Sequence, residues 1–454
     1  MTIIGSKLYY RLILCPGILA AGIVLSWFIA PQVAQAAAGD LDPTFGTGGM
    51  VMTDLNHSTD IANAVAVQAD GKLVVVGTAY KHNDYTDEDF VVTRYNTDGT
   101  LDTAFGRGGK ARTDFPGLAA VPSSVMIQRD GKIVVAGGAF PLFTFLGNFE
   151  LVRYKPNGSL DTSFGNGGIV TTNFPEGSYA SDVALQPDGK IIAAGTVFVN
   201  FIPGEPSDTD FALARYNPDG TPDATFGNGG QVSTDFFGHE DDAFSVLIQP
   251  DGKIVAVGSA NQPATFYDFA AVRYLSNGTI DTTFGVSGKV NTDFGARDFD
   301  RAYSAALQTD GGIVAVGFAT SANGTSQNFA VARYTSNGIL DTTFSRDGKT
   351  QIDFGSCCQS AYKVLLQSDG KIITVGYANT ESSDSDFLLA RLNPRGSLDA
   401  SFGVGGKVRT SFGDLNGGAN GAVLQSDGKI MAVGFQATFS NQWTNFALAR
   451  YLGQ

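Results

Sequence analysis

Residues 180–195 read ASDVALQPDGKIIAAG, and this stretch decides the fold. Ala180 to Gln186 carries a strand signal, Pro187-Asp188-Gly189 a tight turn, and Lys190 to Gly195 a second strand, the pattern of a β-hairpin with a two-residue Asp-Gly turn. Further on come a third strand, Phe211 to Tyr216 (FALARY), a turn at Pro218-Asp219-Gly220, and a fourth strand at Gln231 to Phe236 (QVSTDF).

The same unit recurs along the chain. Gln-x-Asp-Gly places its glycine at Gly71, Gly131, Gly189, Gly252, Gly311, Gly370 and Gly428, with spacings of 60, 58, 63, 59, 59 and 58. Arg-Tyr recurs at Arg94, Arg153, Arg215, Arg273, Arg333, Arg391 and Arg450, with Leu392 in place of one tyrosine. A third string, Asp-x-x-Phe, ends at Phe45, Phe105, Phe164, Phe226, Phe284, Phe344 and Phe402. A period of this size signals a solenoid, propeller or array.

The second and third strands are continuous apolar runs, such as LVVVG at 73–77 and IVAVG at 254–258, which need cover on both faces. The fourth strand is more polar and suits an outer edge. Four-stranded sheets packed face to face, with polarity rising outward, are propeller blades. The repeat region opens with an orphan fourth strand, Gly48 to Asp54, and ends after a third strand, Phe446 to Tyr451. The expected fold is therefore all-β: a seven-bladed β-propeller of four-stranded antiparallel blades over residues 39–454, its ring closed by the N-terminal outer strand.

Composition agrees. Of 44 acidic residues only six are Glu, and 57 glycines accompany the aspartates, which excludes a helical protein and suits many tight turns. A formal charge of −14 opposes binding to phosphate backbones, so no nucleic-acid partner is expected.

Lys7 and Arg11 precede an uncharged stretch from Leu12 to Gly39, and Ala34-Gln35-Ala36 offers a small-x-small cleavage pattern. Residues 1–38 read as a signal peptide. The apolar part, Leu12 to Ala30, also approaches the length of a membrane span, so an uncleaved signal anchor is the alternative and the only route to a membrane. Either way the remainder is exported: secreted, periplasmic or at the cell surface.

QPDGKIIAAG, DFALARYNPDG and LDTSFGNGG resemble the delta-60 repeat, a bacterial β-propeller repeat of exported proteins, and the resemblance spans residues 41–452. It implies a propeller outside the cytoplasm and brings no assigned chemistry. Gly312, Ser345 and Leu392 depart from its pattern.

The repeated residues read as structural. Asp-Gly serves the turns and Asp-x-x-Phe an Asx turn. The repeated arginine, on an apolar strand, needs an internal partner, for example Asp98 or Asp102 for Arg94. The spacing Asn96, Asp98, Thr100, Asp102 superficially resembles a calcium loop, but Lys155, Leu275, Thr335 and Arg395 interrupt it in other units and the bidentate Glu is missing. His57, His82 and His239 are scattered, and neither a nucleophile elbow, a zinc motif nor a phosphate loop occurs. No catalytic residue, metal or cofactor is expected.

Function in repeat folds sits where the repeat varies. Two adjacent loops between second and third strands are rich in aromatics: Phe140, Phe143 and Phe145, then Phe198 and Phe201. They either form a contact patch or fold back on the barrel. Four residues before each repeated Gln stands a mixed position on the channel-lining strand: Ala64, Ser124, Asp182, Ser245, Ser304, Lys363, Gly421. Asp182 and Lys363 there are candidates for a small polar ligand, against the plainer reading of an ion pair or two solvated side chains. Cys357 and Cys358 are neighbours outside the repeat pattern and form a disulfide candidate. The sequence thus points to an exported, non-catalytic binding or surface-display module whose partner is an extracellular protein, glycan or small ligand. The alternative is a propeller enzyme acting on an extracellular substrate at the central channel.

Overall fold

The computed structural model describes residues 36–454, apart from 56–58, 82–83, 142–145, 201–207, 263–265, 296–298, 322–323, 325, 380–384, 414–415 and 438–442. Residues 1–35 of the signal segment, Phe143, Phe145, Phe201, His57 and His82 lie outside the described residues, whereas Ala38, placed in that segment by sequence, is buried in a core cluster and its carbonyl accepts from Gly403 N at 2.8 Å. Among these residues the chain is all strand and turn, and no helix is long and apolar enough to cross a membrane.

The strands fall into groups of four. In the third group they run Ser178–Leu185, Ile191–Val199, Asp208–Tyr216 and Gln231–Thr234, paired antiparallel in that order. Five groups are separate four-stranded sheets, and the fifth and sixth are joined into eight strands by one parallel pair, Gln327 with Cys358. Met50–Thr53 pairs with Thr444–Tyr451, so the first described strand is the outer strand of the sheet built from the last three.

Apolar second and third strands are buried on both faces because successive groups cover them. One core cluster joins Phe149, Leu151 and Phe164 of the second group to Ile191, Ala193 and Tyr216 of the third. Another joins Tyr95, Val75 and Phe45 to Met431, Phe446 and Leu448, from opposite ends of the chain. Burying a large apolar side chain in this way contributes about 1.5–3 kcal/mol.

The repeated arginine ties neighbouring groups together. Arg94 Nε donates to Asp102 Oδ2 at 2.8 Å, so of the two candidate partners Asp102 is the one used, while exposed Asp98 accepts from Thr100 within its own turn. The guanidinium lies 4.7 Å from the Phe105 ring centroid, and its Nη1 donates to Pro156 O, in the next group, at 2.6 Å. The lysine after Asp-Gly reaches the same carboxylate: Lys72 Nζ is 2.8 Å from Asp102. Where Gly312 replaces that lysine, Asp341 keeps only its arginine and is 25% exposed, against 2–10% for its equivalents.

The repeated tyrosine bonds a threonine of the preceding fourth strand, as Tyr95 to Thr53 at 2.9 Å and Tyr274 to Thr234 at 2.7 Å. Leu392 departs from the pattern together with its neighbour. The threonine position before it is Ile352, and both are buried in one cluster, so an apolar pair replaces a hydrogen-bonded one without leaving a polar group unpaired.

The Asp-Gly hairpin is wider than the two-residue turn expected from sequence. Gln186 N donates to Lys190 O at 2.8 Å and Gly189 N to Gln186 O at 3.0 Å, and of these residues only Gly189 has a positive φ, +89°. A two-residue type I′ turn needs positive φ at the aspartate too, whereas a type I turn closed by a left-handed glycine needs it once. Asp188 Oδ1 instead accepts from Lys190 N at 3.1 Å.

Candidate site at the channel mouth

Each first strand carries a β-bulge, a register slip that falls between Ala180 and Asp182 in the third group and at matching places in the others. The slip brings the first strand so close to the second that a Cβ on the facing glycine would sit 1.8–2.1 Å from a carbonyl oxygen, as at Gly195 against Tyr179 O and Gly258 against Asp242 O. It also turns the mixed position inward. Ala64, Ser124, Asp182, Ser245, Ser304, Lys363 and Gly421 all line one cavity of about 100 Å³, to which the first strands of all seven groups contribute.

Inside it the side chains cap backbone groups of the next strand. Ser245 Oγ accepts from Ala305 N at 3.2 Å, Ser304 Oγ from Val364 N at 3.4 Å, and Asp182 Oδ2 from Val246 N at 3.0 Å. Asp182 takes more: Ser124 Oγ donates to Oδ1 at 2.8 Å, Ser245 Oγ to Oδ2 at 3.2 Å, and Val183 N to Oδ1 at 2.9 Å. Its carboxylate is thereby spent on joining three successive first strands. Among the described residues no hydrogen bond or ion pair reaches the ammonium of half-buried Lys363, from Asp182 or any other. The structure thus brings the two candidates to one cavity and leaves the ammonium as the group with donors to spare.

An aromatic wall stands beside them. Phe244, Tyr303 and Tyr362 line the cavity in three consecutive groups. Phe244 meets Tyr303 edge-on at 5.1 Å, Tyr303 stacks on Tyr362 at 4.8 Å and 13°, Tyr362 stacks on Tyr377 at 5.0 Å and 8°, and Tyr377 meets Phe435 at 6.0 Å. Burial comes first in pushing the Tyr362 hydroxyl far above the ordinary phenol range, so the ring presents a neutral donor and acceptor. The sequence reading passed over these residues. The signal was the position directly before the mixed one, aromatic only at 244, 303 and 362, and the position after the second-strand glycine, aromatic at 318, 377 and 435.

Phe140 and Phe198, expected in loops, instead lie near the ends of the second strands Ile133–Pro141 and Ile191–Val199, where both are half-buried and pack on Tyr179, at 6.3 and 6.5 Å between centroids. Cys358 opens the strand Cys358–Leu366 and Cys357 O accepts from Gln327 N at 2.7 Å, which puts both cysteines at the junction of the fifth and sixth groups. His239 is exposed in a bend, away from the cavity lining. Two clusters of three carboxylates, Asp210 with Asp235 and Asp241, and Asp268 with Asp293 and Asp300, sit where successive sheets meet. Burial, reinforced by the other carboxylates, raises Asp210 to about 6 and Asp241 to about 8.

A family described as a domain of unknown function (DUF5122) β-propeller matches residues 68–105, 128–164, 186–226, 249–284, 308–344 and 367–402. These six matches support a β-propeller repeat family for the chain, whose fold is a β-propeller. No curated protein matches it. Solved structures similar to it include a catalytically inactive virginiamycin B lyase from Staphylococcus aureus with quinupristin (TM-score 0.44, 11% identity, 88% of this chain and 98% of that one). The polysaccharide lyase Uly1 is similar at TM-score 0.46 and 12% identity over 86% of this chain and 90% of its own. Drosophila Semaphorin 2a is similar at TM-score 0.47 and 8% identity over 92% of this chain and 76% of its own. Likeness of this degree transfers no activity.

Proposed function

We propose that the chain is an exported seven-bladed β-propeller of the delta-60 type, closed by its N-terminal outer strand, and that it is a non-catalytic binding module. Pairing of Met50–Thr53 with the last strand, the core shared by both chain ends, and seven first strands around one cavity support the closed ring. The uncharged stretch after Lys7 and Arg11 supports export.

One observation carries the binding reading: an uncommitted ammonium, Lys363, stands among hydroxyls at the axis and next to a continuous aromatic wall. A cavity of about 100 Å³ admits a head group and not a whole ligand. The matching chemistry is a carboxylate or hydroxyl-rich head facing Lys363, Ser245 and Ser304, with an apolar edge laid along Phe244, Tyr303 and Tyr362. An acidic saccharide end has both. The test is a calorimetric screen of the exported chain against neutral and acidic oligosaccharides. Acidic ones are expected to bind, with loss of binding and unchanged melting in Lys363→Met, and loss of binding with a lowered melting temperature in Tyr362→Ala, whose ring is stacked between Tyr303 and Tyr377; parent-like binding by both variants overturns the reading.

A further inference from the structure

Four third strands carry an aspartate directly before a buried phenylalanine: Asp89, Asp210, Asp268 and Asp386. A carboxylate held between two sheets needs compensation. Three of the four have it from within the chain. Arg112 Nε pairs with Asp89, and Arg409 Nε lies 3.7 Å from Asp386. Both arginines occupy the same place on the fourth strand, opposite Val91 and Leu388. Asn291 stands at that place opposite Ala270, and its amide and that of Gln262 each donate to Asp268 Oδ2 at 2.6 Å.

Asp210 differs. The equivalent residue opposite Ala212 is Ser233, and among the described residues no hydrogen bond or ion pair reaches the Asp210 carboxylate. Two more carboxylates come to it instead, so that one oxygen each of Asp210, Asp235 and Asp241 lies within 4.8 Å of the other two. Asp241 is fully buried; its Oδ2 accepts from Phe236 N at 2.6 Å, and its Oδ1 has no hydrogen-bond partner. Lys289 is the cation in this region, but its Nζ is bound to the Asp235 carbonyl and lies 5.1 Å from the Phe236 ring centroid. Lys349 and Lys407 make the same contacts at other junctions, so that lysine belongs to the repeat and not to the cluster.

We propose that Asp210, Asp235 and Asp241 form a binding site for a hard divalent cation, Ca²⁺, at the junction of the third and fourth sheets. The donors are all oxygens, which suits Ca²⁺ rather than a metal that seeks nitrogen or sulfur. The ion supplies from outside the positive charge that Arg112 and Arg409 supply from within. The adjacent cluster is the internal contrast: amides serve Asp268, and both oxygens of Asp300 accept backbone N–H groups, from Thr320 at 3.1 Å and Phe294 at 2.8 Å.

The experiment titrates CaCl₂ into the EDTA-treated full chain by calorimetry, with melting followed in parallel. One ion per chain is expected, with Kd of about 10⁻⁴–10⁻³ M, as for extracellular modules, and a melting temperature that rises with Ca²⁺. Asp210→Asn removes the binding. Ser233→Arg, which installs the arginine of the other junctions at an exposed position, removes it too and melts in EDTA no lower than the parent. Asp293→Asn leaves it intact. Absence of binding at millimolar Ca²⁺, or binding that survives both Asp210→Asn and Ser233→Arg, overturns the proposal.

Discussion

Arg450 Nε and Asp42 Oδ2, from opposite ends of the chain, form an ion pair at 2.8 Å. The Arg450 guanidinium also covers the Phe45 ring at 4.6 Å and donates through Nη1 to Thr97 O at 2.5 Å. Burial raises the Asp42 carboxyl, but hydrogen bonds from Thr44 and the charge of Arg450 outweigh it and hold the group at about 2. The joint between the ends is thus built from the same parts as every joint within the chain.

Removing the N-terminal partner should therefore cost as much as removing any blade's outer strand. A chain lacking residues 1–55 is expected to aggregate or melt far below one lacking only residues 1–38, because the last sheet loses its edge strand and Arg450 loses Asp42. Differential scanning calorimetry on the two chains checks this; equal melting would contradict it.

The second-strand glycines should be irreplaceable for a different reason from the turn glycines. Gly258→Ala puts a methyl 1.8 Å from Asp242 O, whereas Gly252→Ala in the turn meets nothing within 4 Å and suffers only from its φ of +83°. Gly252→Ala bears left-handed strain of about 1–2 kcal/mol, whereas Gly258→Ala bears overpacking against a backbone oxygen that no side-chain rotation relieves, at or above the upper end of the about 1–3 kcal/mol usual for overpacking. Urea unfolding should rank Gly258→Ala clearly below Gly252→Ala.

Much of this was legible from sequence, because three strings in fixed order fix the strands and their burial. The residues that line the common cavity were legible as a set for the same reason: they keep a constant offset from the repeated Gln, from Ala64 to Gly421. What escaped was everything assembled across strands. The aromatic wall draws Tyr362 from a first strand and Tyr377 from the second strand paired with it, and the carboxylate cluster draws Asp210 and Asp241 from strands of two sheets and Asp235 from the connection between those sheets. The hairpin type also escaped, since Asp-Gly serves both turn families and only the backbone hydrogen bonds distinguish them.

Acid and alkali should weaken the fold through different carboxylates. Asp42, Asp161, Asp281 and Asp399 are held at about 2, so the stability they give is complete above pH 3.8 and is lost as pH falls towards 2. Glu150 behaves in the opposite sense. Burial raises it from 4.5 to about 8, against the lowering effect of the Thr171 hydroxyl at 2.8 Å, so its cost grows as pH rises from 4.5 to 8. Glu150→Gln should raise the melting temperature at pH 8 and leave it nearly unchanged at pH 4; an equal effect at both would contradict the assignment.

Cys357 and Cys358 test the redox chemistry of the chain. Adjacent Cα atoms lie about 3.8 Å apart, short of the usual range for a disulfide of ~4.4–6.8 Å, so a bond between them is strained and readily reduced. Mass spectrometry of the non-reduced chain is expected to show a monomer two protons lighter than its reduced form. A disulfide-linked dimer or two alkylatable thiols would count against the internal bond.

The channel-mouth reading is tested most directly by a crystal structure of the chain with the acidic oligosaccharide that binds it best. The expected result is a carboxylate within hydrogen-bond distance of Lys363 Nζ and the sugar body against Tyr303 and Tyr362. A ligand seated elsewhere on the surface, or a chain that binds no acidic saccharide at all, would contradict it.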